Sequence, residues 1–538
     1  MTDILVVGAG PVGLTLAAEL ARHGATCRII DQLAQPTGYC KALGVTPRTL
    51  EVWEDMGIVR PMIEGGLWLT GLRLIVNGEL VKEITEGLPA LPYGLTLGLP
   101  QYETEFVLGE HARRLGILPE RGTSLQSAEP SLNGVAVRLA HEDGRTEEAN
   151  FRYVVGCDGA HSMVRKAAGI GFPGEAYPVE FMLGDVAVDW PVPRGVGIRA
   201  VQMEDGEMTG FLVAVPLPDK GRYRLTSYAP PELAQEPGQQ SDDAHGIQAE
   251  RTPPDLAVLQ AITERLMPGV TLSDLRWSSI FRISMRLADA YRKGPFFLAG
   301  DAAHIHPPTG GQGMNTGIQD AYNLAWKLAL VVRGEAPGTL LDSYEAERRP
   351  VGMDVLERTI AQTAAFRTGQ TGGKRGSDTR LEDSQLTIAY RDSAWVVDEM
   401  SGEADGPAAG DRAPDASGLR RLGLGMPVRL FDLLRGTEHV LLLDVQDDDE
   451  AGRGVATASL LRHRFGRRVR CYGIVAPGQG RTDLPLLPLI EDADGMFAAA
   501  YGSGRQRAWV VRPDGHIGYR GLEGDGPIRY LEKVLAPA

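Results

Sequence analysis

The sequence predicts an α/β fold in several domains, and three observations carry that prediction. A buried-strand run, Ile4 to Val7, leads into Gly8-x-Gly10-x-x-Gly13 and a helical stretch from Leu14 to Arg22. Short alternating segments within 72–96 and 176–275, such as Leu183 to Val188, Gly210 to Val215 and Tyr223 to Ser227, read as strands of a half-buried antiparallel sheet. A Gly-, Pro- and Asp-rich linker at 402–416 precedes a second alternation of strands and helices. At 538 residues the chain exceeds what one core organises, so roughly two to four domains are expected.

Composition removes some function classes. A formal net charge of −15 argues against a nucleic-acid partner and against an anionic membrane surface. Cys27, Cys40, Cys157 and Cys471 are scattered, which suggests neither a zinc site nor a disulfide framework. Met1 runs straight into the first strand, and no apolar run approaches the ~20 residues of a membrane span. A cytoplasmic protein with no membrane partner is the expectation.

The first strand, turn and helix are followed by a second strand, Cys27 to Ile30, ending at Asp31. Asp31 lies 18 residues beyond Gly13, where a dinucleotide site places an acid that accepts ribose hydroxyls. The glycines permit a tight turn, so a pyrophosphate can sit on the helix N-terminus beside Pro11 and Val12. Lys41 and Arg48 precede a helix beginning near Thr49, and Gln101 precedes one at 102–115. Solvated side chains are the rival reading for Lys41 and Gln101.

Residues 153–170 form an apolar strand ending in Asp158 and Gly159, with Ser162 and Arg165 at the start of a helix. Residues 229–254, rich in Pro, Gln and acid, read as a lid or a plain disordered excursion. Phe296 to Leu298 then deliver Gly300 and Asp301, followed by a Pro- and Gly-rich turn and an amphipathic helix. Ile318, Tyr322, Ala325 and Leu328 make its apolar stripe, with Asp320, Asn323 and Lys327 between them. Gly310, Gly311 and Gly313 let backbone N–H groups approach an electron-rich ring. His304 and His306 form an isolated His-x-His, read as structural, so no metal is expected.

Taken together, the Gly-x-Gly-x-x-Gly, Asp-Gly and Gly-Asp segments resemble those of the FAD-dependent aromatic hydroxylases related to para-hydroxybenzoate hydroxylase and phenol hydroxylase, including the polyketide and rifamycin branch. The resemblance extends over essentially the whole chain. It implies a Rossmann-like FAD-binding domain at 1–71, 97–175 and 276–400, and an antiparallel-sheet substrate domain at 72–96 and 176–275. A thioredoxin-like domain is implied at 401–538; it lacks Cys-x-x-Cys, which excludes thioredoxin-type redox activity.

The same resemblance implies that FAD is held by Gly8, Gly10, Pro11, Val12, Gly13, Asp31, Gln32, Lys41, Arg48, Gln101, Leu125, Asp158, Arg165, Gly300, Asp301, Pro308, Gly311, Gly313, Met314 and Asn315. Asp31 replaces a usual Glu, and Lys41 replaces a usual Arg whose planar fork lysine lacks. Pro308, through its backbone carbonyl, is the one catalytic assignment; no general base is identified.

The implied reaction uses NADPH or NADH to reduce FAD, and O2 adds to the flavin at C4a. The hydroperoxide then passes one oxygen to a small aromatic, phenolic or polyketide-like substrate. One complete Gly-x-Gly-x-x-Gly implies that the nicotinamide binds transiently. A monomer or homodimer is expected. Baeyer–Villiger oxygen insertion, and a flavoprotein that only sequesters an aromatic ligand, stand as alternatives. No Trp-x-Trp-x-Ile segment supports halogenation.

Overall fold

Ile4–Val7, buried at all four positions, is an inner strand of a six-stranded sheet. The order is Arg292–Lys293, Phe296–Leu298, Tyr153–Gly156, Ile4–Val7, Cys27–Asp31, Glu120–Arg121. Its strands pair in parallel except at the Arg292–Lys293 edge. Apolar residues on both faces suit a sheet covered from both sides. Three distant stretches of chain thus end side by side. The computed structural model describes residues 3–36, 38, 40, 42–85, 87–88, 92–234, 246–247, 251–307, 311–367, 377–400, 402, 405–421, 423–478, 484–502 and 507–537.

Pro11–Arg22 is the first helix and starts earlier than Leu14, because Pro11 at its first position presets the helical φ and costs no needed N–H. The predicted helices near Thr49, at 102–115 and after Gly313 are Pro47–Asp55, Gln101–Arg114 and Gln312–Val332. A three-stranded antiparallel sheet, Thr123–Ser131, Gly134–His141 and Thr146–Phe151, was not anticipated. Its turns hold Asn133-Gly134 and Asp143-Gly144, where Gly134 and Gly144 take φ of +137° and +84°.

The large sheet has nine strands. Gly174–Asp189, Val196–Glu204, Glu207–Pro216, Arg222–Tyr228 and Thr271–Leu287 form its body, and Gly71–Val76 with Glu79–Thr85 extend one edge. Thr271–Leu287 is a single strand, so it runs through the boundary expected at 275. One face is covered by the Leu256–Leu266 helix, whose Leu259 and Leu266 pack on Met182, Val186, Ile198, Leu212 and Leu225. The opposite face carries an aromatic row set by strand register. Phe181 pairs with Phe281 and with Tyr228, and the Phe211 ring lies 4.5 Å from that of Tyr228.

On this same face Trp277 and Val215 pack with Cys40 and Leu43, and Arg224 Nη1 donates to the Cys40 carbonyl at 3.4 Å. The aromatic face therefore looks toward the loop before the Pro47–Asp55 helix.

The C-terminal part is a seven-stranded sheet. His439–Val445, Val469–Val475 and Leu489–Asp492 run parallel, and Arg507–Val511 with Ile517–Leu522 add an antiparallel hairpin. The predicted hairpin turn at 512–515 is present, with Gly515 at φ +74°. Of the described residues, no helix is long and apolar enough to cross a membrane.

The Gln312–Val332 helix departs from expectation on its polar side. Asp320, Asn323 and Lys327 were read as falling outside the apolar stripe, yet they are 0%, 1% and 0% exposed. The C-terminal sheet and the Asp342–Arg367 helix cover them, a tertiary contact that helical periodicity does not encode.

Candidate active site

The three glycine-bearing segments touch one another. A Cβ on Gly8 would lie 2.3 Å from the Cys157 carbonyl oxygen, and one on Gly13 would lie 1.9 Å from that of Gly8. A Cβ on Gly300 or Gly317 would lie 2.9 or 2.7 Å from Val12 Cγ2. Val12 is thus seated between the Gly-Asp turn and the Gln312–Val332 helix. A Cβ on Gly10 would meet nothing within 4 Å. Gly8 and Gly13 serve packing, whereas Gly10 faces open space at the start of the Pro11–Arg22 helix, where unpaired N–H groups can receive an anion.

Asp31 closes this turn. One of its oxygens accepts the Ala9 N–H at 2.7 Å and the other the Leu33 N–H at 2.8 Å. Arg121, which the sequence reading missed, stands 3.9 Å from Asp31 and donates to the Ala9 carbonyl at 3.5 Å. Gln32 is exposed beside it. Leu125 is 6% exposed with its side chain in the main core, which leaves its backbone as the contact it can offer a nucleotide.

Asp158 accepts the N–H groups of Met163 and Val164 at 2.7 and 3.2 Å, capping the short helix in which Ser162 accepts the Arg165 N–H. Burial pushes the Asp158 carboxyl up, against the hydrogen bonds that Ser162 and the helix start provide. Arg165 is 5% exposed; it donates to the Ala302 and Ala160 carbonyls and lies 3.9 Å over the Phe172 ring. It bridges the Asp-Gly and Gly-Asp segments. Beside it a cavity of about 190 Å³ is lined by His161, Lys166 and Arg286 as well as Arg165.

At the other end, Gly311 caps the Gln312–Val332 helix in a left-handed conformation, φ +67°. Asn315 accepts from the Thr46 N–H at 2.9 Å and donates to the Gly44 and Gly311 carbonyls at 2.8 and 2.7 Å. Its side chain is spent on joining the Gly44–Thr46 segment to the helix start, and the residue is fully buried. A Cβ on Gly313 would lie 3.5 Å from His306 Nε2, and Met314 is half-buried. Gln101 accepts from the Ala42 N–H at 3.2 Å and donates to Glu105 at 2.8 Å, fixing the loop that carries residue 41. Lys41, Pro308 and Gly310 lie outside the described residues.

Asp301 is exposed, while Gly300 donates its N–H to Asp320 at 3.1 Å. Asp320 also bonds His304 Nε2 at 2.7 Å and Arg348 Nε at 2.8 Å. Burial would raise this carboxyl, but Arg348 and then His304 hold it below the usual carboxylate range. His306 Nδ1 sits 2.9 Å from the Pro307 carbonyl, so both histidines have structural partners.

Arg48 departs from its expected place. Its guanidinium donates to Glu51 at 2.9 Å and to the Asp514 carbonyl at 2.8 Å, so it is turned into the C-terminal sheet rather than toward the glycine segments.

Comparisons with known proteins agree with this geometry. Residues 1–359 match the family model described as an FAD binding domain. A flavin-dependent monooxygenase of Mycobacteroides abscessus is 34% identical over 99% of this chain and 100% of its own length. The 6-methylpretetramide 4-monooxygenase of Streptomyces rimosus is 38% identical over 96% of this chain and 90% of its own. Among solved structures, aklavinone-11 hydroxylase in complex with FAD and aklavinone superposes with a TM-score of 0.76 at 26% identity, covering 99% of this chain and 97% of that one.

The open cradle at Gly10, the acid at the second strand's end and the glycine-capped helix start fit the two ends of such a cofactor. The chain belongs to the class A flavoprotein aromatic hydroxylases and is an FAD-dependent monooxygenase.

Proposed function

We propose that the chain hydroxylates an aromatic substrate, phenolic or polyketide-like, with NADPH or NADH as reductant and O2 as oxidant. Contact among the three glycine segments, with Gly10 opening onto free space at the start of the Pro11–Arg22 helix, is the observation that carries this reading. FAD, when bound, supplies electron transfer from the nicotinamide and activation of O2.

Gly8, Gly10, Pro11, Val12 and Gly13 form the pyrophosphate turn, with Asp31, Gln32 and the Leu125 backbone at the nucleoside end. Gly300, Asp301, Gly311, Gly313, Met314 and Asn315 line the ring end, where first-turn N–H groups stabilise negative charge. Lys41 is assigned as a phosphate contact and Pro308, through its backbone, as the catalytic position, both on sequence alone. Gln101, Asp158 and Arg165 act by holding loops, and Arg48 is reassigned to domain contact.

The cation-lined cavity at His161, Lys166 and Arg286 suits the phosphates of a transiently bound nicotinamide cofactor. The aromatic row of Phe181, Phe281, Tyr228 and Phe211 suits a flat, apolar substrate. In this reading 1–71, 97–175 and 276–400 form the FAD-binding domain, 72–96 and 176–275 the bulk of the substrate domain, and 401–538 a thioredoxin-like domain.

The test is a panel of phenols and polycyclic aromatics given to FAD-loaded protein with NAD(P)H and isotopically labelled O2. The expected result is substrate-stimulated NAD(P)H consumption and a product carrying one labelled oxygen as a hydroxyl. Labelled oxygen within a ring would convert the reading to Baeyer–Villiger insertion. Ligand binding with no stimulated consumption across the panel would overturn catalysis.

A further inference from the structure

The buried back of the Gln312–Val332 helix meets one short turn of the C-terminal sheet. Arg512 donates through both Nη atoms to the two oxygens of Glu347, each at 2.8 Å. Asp514 accepts from Asn323 Nδ2 and Trp326 Nε1, both at 3.2 Å, and its carbonyl accepts from Arg48. The Pro513 carbonyl accepts from the Tyr322 hydroxyl at 3.1 Å. Glu347 in turn accepts from Lys327 at 2.7 Å and Asn323 at 2.9 Å. Arg512, Glu347, Lys327 and Asp514 are each between 0% and 2% exposed at the side chain.

Residues 512–514 therefore grip three helices at once: Pro47–Asp55 through Arg48, Gln312–Val332 through Tyr322, Asn323 and Trp326, and Asp342–Arg367 through Glu347. The first two of these helices are joined at their starts by Asn315 and Thr46. Contacts at its start and along its middle fix the helix about its own axis, and with it the direction in which the first-turn N–H groups point. A second grip lies at Gly436, whose N–H and carbonyl engage Asp55 and Arg22. Buried charges hold such a geometry tightly, because each is costly without its partner.

We propose that Arg512 and Asp514 are positioning residues for the flavin: the C-terminal turn sets the orientation of the helix start against which the isoalloxazine rests. This rests on the reading that residues 311–315 face the ring. It assigns the C-terminal region a part in tuning the cofactor from behind, without touching it. The charge on Asp514 matters as well as its shape, because Arg512 is oriented between Asp514 and Glu347.

The experiment compares Asp514→Asn, Arg512→Lys and Tyr322→Phe with an exposed control, Arg453→Ala, whose partner Glu523 lies 3.3 Å away in the same C-terminal sheet region. FAD content, melting temperature, the visible flavin spectrum and the two-electron midpoint potential are read without any aromatic substrate. Asp514→Asn is expected to retain FAD, displace the spectrum and potential, and slow flavin reduction by NAD(P)H about tenfold. Amide exchange at 312–316 should quicken, and the control should match wild type.

Folded, FAD-loaded Asp514→Asn and Arg512→Lys proteins with unchanged spectrum and potential would overturn the proposal. If both fail to fold, Tyr322→Phe, which deletes only a hydroxyl, decides in their place by the same readings. A wild-type chain that holds no FAD would sink the functional reading itself, whereas FAD bound but indifferent to these variants sinks only the positioning role.

Discussion

The turn at Gly8–Gly13 and the back of the Gln312–Val332 helix are two ways of making a tight contact. At the turn, backbone meets backbone: side chains are absent because a Cβ on Gly8 or Gly13 would collide with carbonyl oxygens. Behind the helix the contact is made of long charged side chains, Lys327, Glu347 and Arg512, each answered by another. The first kind of contact is specified within a few residues. The second is specified by residues nearly 200 positions apart, such as Asn323 and Asp514. On the proposed reading, the first admits a pyrophosphate and the second holds a helix still.

The largest effect should come from breaking the charged contact. Glu347→Ala leaves Arg512 and Lys327 buried without their carboxylate and should cost about 3–5 kcal/mol, read as a large fall in denaturation midpoint. A variant as stable as wild type would show that water or a neighbouring carboxylate replaces Glu347.

The backbone contact ranks next. Gly13→Ala should cost about 1–3 kcal/mol or more through overpacking and abolish FAD retention. Gly10→Ala has room for its methyl group, so stability should change by no more than about 0.5 kcal/mol. FAD affinity should still weaken, which titration against apoprotein measures. Equal loss of stability in the two variants would erase the distinction between a packing glycine and a cradle glycine.

A smaller effect depends on pH. Burial works against ionisation at Glu347 and Asp514, but Arg512 with Lys327, and Arg512 with His516, more than reverse it and hold both carboxyls well below their ordinary range. The unfolded chain takes up protons at these positions near pH ~4 and the folded chain does not. Their stabilisation is therefore complete above that range and falls progressively below it, down to the depressed values of the folded state. The wild-type melting temperature should drop more steeply between about pH 5 and pH 3 than that of Asp514→Asn. Identical slopes would contradict the assigned charges.

This contrast also explains what could be read from sequence. Ile4–Val7, the glycine spacing and Asp31 are local rules, and strands at 439–445, 469–475 and 507–511 follow from the same alternation. The three-stranded sheet at 123–151 was equally legible, since Asn133-Gly134 and Asp143-Gly144 are strong hairpin signals that went unused. The burial of Asp320, Asn323 and Lys327 was not legible, because a polar stripe on a helix signals solvent until a partner is known. Arg48 was misplaced for the same reason: its partner, the Asp514 carbonyl, is 466 residues away. Arg121 carried no motif of its own and became visible only beside Asp31.

One feature of the large sheet bears on how such proteins diversify. Gly174 and Arg286, the points where the chain leaves the neighbourhood of the glycine segments and comes back to it, are cross-strand neighbours. An excursion of more than a hundred residues thus begins and ends at one doorway. Changes of length or shape within it need not disturb the distance between Asp158 and Gly300. The edge strands at 71–85 are a lesser tie, joined to the excursion through Val196–Val201. Under the proposed domain reading, recombination at that doorway exchanges the surface offered to a substrate while the glycine segments stay in register, a physical basis for varying one without the other.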